Sequence, residues 1–494
     1  MFGQKSSMNN DSWGHFGYDN CYTSYNPYET EITTDNVSNL VRSWGVGCDD
    51  GYFSVIWRTP AIYSGSLYTS GAGNNLNSYT ITSASWNWEY GDGNVGWAAQ
   101  PVVSDNGILI YLEQAMPTYV YRVDPETGAE IWKCPLSFNL GFSGTAEAVA
   151  TIDDEDSLVY IIETDIMGGK LYALNSKTGK VAWYKSEAKD SLAFMGSFVL
   201  NKDSFIYVPA IQTEGYGNLF HMCRINVLSE KVEITYQLPD SVTYHDPVAY
   251  SICNDKLIVG YDEQYEAKDV LAAYYLDSEE VVWELQLGKL TGNIACNTDS
   301  NIIYVPTDPY LYAIDASTGE ELWKYTGYGE IYTPSIANGI IYFISGSNMW
   351  ALDEAEHTEL FNFDLGYDGE PSSQVAVIGE QLYFSGNGGD CDLFVLGFSE
   401  TSTENEQCSC SKSGISRVYS REDRSIVVEA KFDKLTDLNV SIYDINGRLI
   451  YQSEQLSVEE NELVINDFYG LPGCYLCKIN ITNGDMYTKK FVIR

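Results

Sequence analysis

Along most of the chain, apolar and polar positions alternate over short runs and then give way to a turn. The clearest run is LYAIDASTGEELWKY at Leu311–Tyr325. Leu311, Ala313 and Asp315 alternate with Tyr312 and Ile314, which is the period of a strand. Ala316-Ser317-Thr318-Gly319 follows as a turn. Asp315 can hold backbone amides ahead of it, and Gly319 can take positive φ without a Cβ clash. Glu320–Tyr325, carrying Trp323, returns as a second strand. The spacing predicts a β-hairpin with a loop of about four residues and a glycine-type bulge. The phrase recurs at Val120–Cys134 (VYRVDPETGAEIWKC) and Leu171–Lys185 (LYALNSKTGKVAWYK), with Gly128 and Gly179 in the Gly319 slot.

Short apolar runs precede each hairpin: Asp156–Ile162, Asn301–Pro306, Gly339–Ile344 and Gln381–Ser385. Before each of these lies a further segment with its own turn, such as Gln100–Gly107 or Thr333–Gly339. Four strands repeated every ~40–50 residues predict a β-propeller blade. The tryptophan of the last strand falls at Trp44, Trp88, Trp132, Trp183, Trp283 and Trp323, with Phe361 in the same slot. Between Trp183 and Trp283 a weaker copy, Met222–Leu238, places Thr235 there. Beyond Phe361 three strands remain, near Ser373–Ile378, Gln381–Ser385 and Leu393–Phe398, and no fourth. Asn39–Val46, around Trp44, is a lone fourth strand at the other end. Joining them predicts an all-β, eight-bladed propeller closed by an N-terminal strand, which removes open edges. Seven blades is the alternative. The tryptophans then read as packing between blades. Each buries ~200 Å², worth at most about 5 kcal/mol by area.

Composition narrows the partners. With 28 Lys and Arg against 69 Asp and Glu, the formal charge of the 494 residues is −41. Such a chain repels nucleic acid and anionic membrane surfaces. The densest acidic run, Asp153–Asp156, reads as a solvated turn; calcium is the metal it would suit. Many of the 39 tyrosines occupy alternating strand positions, among them Tyr111, Tyr160, Tyr207, Tyr304, Tyr342 and Tyr383, and read as packing. Exposed aromatics on loop tips would suit sugar rings or peptides. No stretch reaches transmembrane length. Met1–Gln4 carries no basic or apolar leader, so an upstream start or a processed form is expected.

The 11 cysteines are irregularly spaced, unlike the framework of a small disulfide-rich domain. Cys223, Cys253 and Cys296 lie in apolar strands and are expected to act as small free hydrophobes. Cys474 and Cys477 sit three apart on a predicted strand, facing opposite sides, which speaks against a metal or redox pair. Cys408 and Cys410 lie in a polar stretch and could form disulfides. The four histidines, at 15, 221, 245 and 357, are scattered, and no haem, zinc-protease, nucleophile-elbow or phosphate-loop motif occurs.

After Phe398 the pattern changes. Residues 399–415 are polar and read as a linker. Strands are then expected at Arg417–Ser420, Ser425–Phe432, Asn439–Asp444, Arg448–Gln452, Glu462–Asn466, Cys474–Asn480 and Tyr487–Ile493. Short strands this dense predict an immunoglobulin-like β-sandwich over 416–494. Tyr443, Asn446 and Gly447 mark a hairpin turn. The expected organisation is thus a lead-in (1–35), a propeller (36–398), a linker and a small domain.

The phrase [LV]YA[IL][DN]xxTGxxxW resembles the repeat of quinoprotein-type propellers. That group includes the quinone-dependent dehydrogenases and an outer-membrane assembly lipoprotein that binds no quinone. Trp13–Trp44 resembles their lead-in. The resemblance covers about residues 13–398 and implies a fold more than an activity. The stretches VSIYDINGRLIY (440–451) and LPGCYLCKI (471–479), and the end Lys489–Arg494, resemble the sorting domain of type IX secretion cargo from Bacteroidetes. Tyr443, Asn446, Gly447, Gly473, Tyr475 and Lys490 carry that resemblance. It implies passage through the periplasm to the outer cell surface or medium, with the type IX machinery as partner.

Three functions are open. The first is a non-catalytic, secreted or surface propeller, expected to be monomeric, that binds protein or glycan. The second is a quinone-dependent dehydrogenase. Family members carry a Trp floor, a carboxylate base, a calcium site and often adjacent cysteines or a haem domain; this chain has no Cys-Cys pair and no haem motif. The third is a polysaccharide lyase or hydrolase with rim carboxylates. No cofactor is expected, and no catalytic residue can be nominated.

Overall fold

A computed structural model of the protein describes residues 12–14, 16–46, 59–70, 75–82, 84–91, 97–98, 100–104, 106–114, 119–136, 147–153, 157–165, 168–185, 193–194, 200–214, 217–237, 249–261, 268–365, 373–385, 393–398, 414–420, 426–444, 448–453, 456–465, 473–481 and 486–493. The chain divides into two compact units, 1–400 and 401–494. The described secondary structure is strand, apart from one 3-10 turn at Val37–Asn39.

In the first unit the strands come in successive antiparallel sets. The sixth set shows the pattern: Ala295–Asn297, Ile302–Pro306, Tyr310–Asp315 and Glu321–Thr326 pair in sequence order. The fifth (Ala249–Gln286) and seventh (Ser335–Asp364) repeat it. So do the first (Ala61–Tyr90) and second (Val102–Pro135). The third (Glu147–Lys185) and fourth (Leu200–Gln237) are joined through Ala193–Phe194 into one wider sheet. The eighth set is made from both ends of the unit. Ala376–Ile378, Gln381–Ser385 and Leu393–Phe398 pair in order, and Leu40–Val46 completes them against Leu393–Phe398.

The predicted hairpins form as the sequence dictates. Asp315 Oδ1 accepts from the amides of Ser317 (2.8 Å) and Thr318 (2.9 Å). Gly319 stands at φ +73°, and the register slips between Ala313 and Ile314. Middle strands are buried on both faces, as in Ile340–Ser345, while last strands alternate with solvent. The core therefore lies between neighbouring sets: Ile303, Val305 and Ile314 of the sixth pack with Ala273, Trp283 and Leu290 of the fifth and its exit. The expected packing tyrosines Tyr160, Tyr207, Tyr304, Tyr342 and Tyr383 are all buried; the Tyr111 side chain lies outside the described residues.

One cysteine expectation is overturned. Cys253 and Cys296 are disulfide-bonded, with Cα atoms 5.8 Å apart across 43 residues. They end up as neighbours because each lies on the first strand of its set, and those strands run side by side. Sequence periodicity sees each cysteine only in its own apolar strand. Cys223 is free and buried, and burial pushes its thiol up to about 12.

In the second unit the strands are Gly414–Ser420, Ile426–Asp444, Leu449–Gln452, Leu456–Ile465, Gly473–Ile481 and Met486–Ile493. The expected break at 433–438 does not occur: Ile426–Asp444 is continuous, with a register shift between Lys431 and Thr436. Its first half pairs with Gly414–Ser420 and its second half with Leu449–Gln452 and Gly473–Ile481. The polar segment Asp433-Lys434-Leu435-Thr436-Asp437 reads as a loop by composition, but a bulge accommodates it without ending the strand.

Candidate functional site

Two places in the first unit concentrate specific chemistry: the outer edge, where the repeated tryptophans sit, and the line on which the first strands converge.

At the outer edge the predicted tryptophans act as latches between consecutive sets. Trp283 Nε1 donates to the carbonyl of Ala316 (2.9 Å), in the next set's turn. Trp132 donates to Ser176 (2.9 Å), Trp88 to Pro125 (3.1 Å) and Trp44 to Ile81 (3.0 Å), each one or two residues past the strand end of the next hairpin. The turn glycine lies flat under the indole. A Cβ on Gly319 would sit 2.8 Å from the Trp283 ring, and one on Gly128 or Gly179 would sit 2.6 Å from Trp88 or Trp132. Sequence reasoning explained these glycines by φ alone; the ring seated on them is a second demand it missed. Trp183 is half-buried against Tyr160. Weaker copies find substitutes. In the Thr235 copy the next residue, Tyr236, sends its hydroxyl to the Leu276 carbonyl (2.8 Å). In the seventh set His357 stands in the glycine position at φ +59° and stacks on Trp323, rings 4.3 Å apart.

The axis is built differently. The first strands of consecutive sets lie beside one another, and residues 12–14 and 16–26 run across them. Ser12 and Trp13 pair with Tyr63 and Ile62 of the first set. The Gly14 carbonyl accepts from Val103 N (2.8 Å) of the second. Asn20 bridges the third, giving its amide to Ile152 O and accepting from Thr151 Oγ1, both at 2.7 Å. The carbonyls of Cys21, Thr23 and Ser24 then accept from Ile252, Cys296 and Ile336 (2.8, 2.7 and 2.8 Å), moving through the fifth, sixth and seventh sets. Tyr25 and Asn26 add a parallel pairing to Ile336 and Ala337, and Asn26 Nδ2 reaches Val377 O (2.9 Å) in the eighth. Gly17 N donates to Gln374 Oε1 (2.8 Å), itself fully buried. Tyr18, Tyr22 and Ser24 hold positive φ within this short path, a backbone cost of ~1–3 kcal/mol each that only an over-determined setting sustains. The lead-in was legible as a segment; its course was not, because the acceptors at Gly14, Cys21, Thr23 and Ser24 follow no regular spacing in the sequence.

Carboxylates near this path are engaged by protein donors. Asp19 Oδ1 accepts from the amides of Cys21 (3.1 Å) and Thr23 (3.0 Å), and Oδ2 from the Thr23 hydroxyl (2.9 Å). Glu29, 2% exposed, accepts from the amides of Glu31 (2.7 Å) and Ile32 (3.1 Å), yet burial holds its carboxyl above the usual range. Asp269 Oδ2 accepts from Leu290 N (2.7 Å). Burial pushes the Cys21 thiol and the Tyr22 hydroxyl well up. Asp153 is buried at its strand end, and Asp154–Asp156 lie outside the described residues. Among the described residues no three His, Cys, Asp or Glu side chains come together as a metal site.

In the second unit, backbone register places Tyr443 opposite Leu449 and Leu476, and Leu476 opposite Lys490. Tyr475 lies opposite Asp444 and Phe491, and Gly473 opposite Ile493. Asn446 and Gly447 lie outside the described residues, as does the Cys474 side chain. Cys477 is buried and free, its thiol pushed up to about 12.

This repeat architecture has known counterparts. The chain belongs to the family described as outer membrane protein assembly factor BamB, which matches residues 54–208 and 267–403. Residues 424–494 match the secretion system C-terminal sorting domain, which implies handling by the type IX machinery. No curated protein matches the sequence. Among solved structures, the quinohemoprotein alcohol dehydrogenase of Comamonas testosteroni is similar at TM-score 0.61 and 11% identity, over 83% of each chain. A europium-containing methanol dehydrogenase gives 0.57 at 12%, over 77% of this chain and 90% of that one. BamB from Moraxella catarrhalis gives 0.51 at 14%, over 74% and 99%. At these identities the likeness is one of fold: an all-β, quinoprotein-like propeller. Among the described residues no helix is long and apolar enough to cross a membrane.

Residues 12–14 and 16–26 cross the first strands, and Asp19 Oδ1, Glu29 Oε1 and Asp269 Oδ2 accept from the chain's own amides.

Proposed function

We propose that the protein is a secreted or cell-surface, non-catalytic propeller that binds protein or glycan through its faces. Its eight blades close as a ring through Leu40–Val46, and a C-terminal β-sandwich delivers it by the type IX route. The observation that carries this reading is the lead-in across the axis. A propeller enzyme works on a substrate held where the blades converge, and here hydrogen-bonded backbone of Gly14 and of residues 16–26 crosses the first strands. Rims and outer faces remain for recognition.

Three experiments test it. Deleting residues 416–494 leaves a folded propeller held in the periplasm; unchanged surface display of the deletion removes the export reading. Adding quinone and calcium to the purified full chain gives no quinone spectrum and no dye-linked oxidation of alcohols or sugars. Clear turnover there would replace the binding reading with the dehydrogenase. Chain cleavage in a screen of plant and mucin glycans would replace it with the lyase or hydrolase.

A further inference from the structure

Tyr328 is 68% exposed, the most exposed aromatic among the described residues, yet it is not loose. Its ring lies parallel to Trp350, centroids 4.8 Å apart and planes 9° from coincidence. Trp350 is only 6% exposed and is fixed by Nε1 donating to Ser345 O (3.2 Å). The Tyr328 backbone is pinned on both sides. Its amide donates to Ser345 Oγ (3.0 Å), Gly327 N donates to Pro309 O (2.7 Å), and Ile331 pairs with Ser345. Gly346, at φ +61°, lets the opposing strand pass: a Cβ there would lie 3.3 Å from Tyr328 O. One face of the phenol rests on the indole, and the other is presented to solvent in a fixed plane.

The surroundings are polar. Asp308 and Glu330, both exposed, flank the segments that pin the ring, and exposed Lys289 meets Asp308 through its carbonyl. A flat aromatic face with exposed carboxylates on the adjoining segments matches a pyranose. A sugar ring offers one C–H face bordered by hydroxyls, and carboxylates accept from those hydroxyls. A peptide side chain would ask for an apolar pocket around it instead. The −41 formal charge disfavours sulfated and uronic glycans. Pre-orientation lowers the ordering cost of binding. We propose that Tyr328 on Trp350 is a stacking platform for a neutral glycan, with Asp308 and Glu330 as hydroxyl acceptors. The assignment rests on the binding reading above and gives it a place and a ligand class.

The test uses the purified full chain and its Tyr328→Ala and Tyr328→Phe variants. They are titrated with neutral xylo-, cello- and galacto-oligosaccharides, with a sulfated and a uronate oligosaccharide, and with a peptide library. The expected result is binding to a neutral oligosaccharide, weakened about tenfold or more in Tyr328→Ala and within about twofold of wild type in Tyr328→Phe, at unchanged melting temperature. Equal neutral-glycan binding by wild type and Tyr328→Ala overturns the platform and leaves the binding reading standing. Binding confined to charged glycans or to peptides overturns the platform in the same way. A wild type that retains none of the probes overturns it as well, and a later demonstration of turnover would be needed to remove the broader reading.

Discussion

The outer edge and the axis of the first unit solve the same problem, joining one set of strands to the next, by opposite means. At the edge one device is used again and again: an indole on the following turn's glycine, with its N–H on a fixed carbonyl. At the axis one segment is used once: its carbonyls take first-strand amides from four different sets, and its side chains add contacts found at single sets. The edge is consequently tolerant. Tyr236 supplies the carbonyl contact where the tryptophan is missing, and His357 stacks where the glycine is missing. The axis has no second copy to fall back on. Local, repeated interactions add; a single strand tying many sets together makes them cooperate.

The largest effect follows from removing the axis. Deleting residues 1–26 strips the amides of Val103, Ile252, Cys296 and Ile336 of their acceptors. At about 1–3 kcal/mol for each buried donor left unpaired, the loss is several kcal/mol. It should appear as a lowered denaturant midpoint with a broader transition, as the sets lose their common tie. An unchanged midpoint would mean that the axis contributes no more than an ordinary surface segment.

Next comes a single latch. Trp283→Ala should cost about 3–5 kcal/mol, since it empties a buried site and orphans the Ala316 carbonyl. Tyr236→Phe removes only a hydroxyl from the analogous place and should cost about 1 kcal/mol. Trp88→Ala combined with Trp283→Ala should be additive within about 0.5 kcal/mol, because the two latches are distant and independent. Strong coupling between them, read from chemical denaturation of the double variant, would erase the distinction between edge and axis.

The disulfide belongs to the axis side. Cys253 and Cys296 link the two first strands whose amides, at Ile252 and Cys296, hold the lead-in. Replacing both with serine should cost about 2–4 kcal/mol. Hydrogen exchange should then rise at residues 21–26 and stay constant at the turn 124–128. A rise confined to the turn would place the bond's influence at the edge instead.

What the sequence disclosed divides along the same line. The hairpins, the turn glycines and the tryptophan slots were legible because they are local and recur, so each copy checks the others. Even the pairing of Leu40–Val46 with Leu393–Phe398 could be foreseen, since a set short of one strand met a strand short of its set. The path of Trp13–Asn26 was not legible. Its hydrogen bonds join residues hundreds apart, such as Gly17 to Gln374, and no periodicity marks them. The Cys253–Cys296 bond escaped for a related reason: strand alternation describes which face a cysteine takes within its own set and is silent about the neighbouring set. The Tyr328 platform was hidden among 39 tyrosines until exposure singled it out.

The smallest effects sharpen the comparison through sign. At the edge, Asp124 is held below the usual carboxylate range, first by the Thr127 hydroxyl and then by turn amides. A depressed folded value means stability that is present above the ordinary aspartate range and lost as pH falls through the lowered one. Near the axis, Glu29 is held above the usual range by burial, against the pull of the amides of Ile32, Glu31, Gly379 and Thr30. There the linkage reverses: the contribution is complete below the ordinary glutamate value and is lost as pH rises through the raised one. Glu29→Gln keeps an acceptor for those amides and removes the buried charge, so its stability relative to wild type should improve as pH rises from 4 toward 7, by about 1 kcal/mol or less. Asp124→Asn should worsen relative to wild type as pH rises toward the ordinary aspartate value and level off above it. Denaturant midpoints from about pH 2 to 7 measure both slopes. Slopes of the same sign would mean that the lead-in carboxylate feels solvent as the turn carboxylate does, and that the axis is open where Glu29 stands.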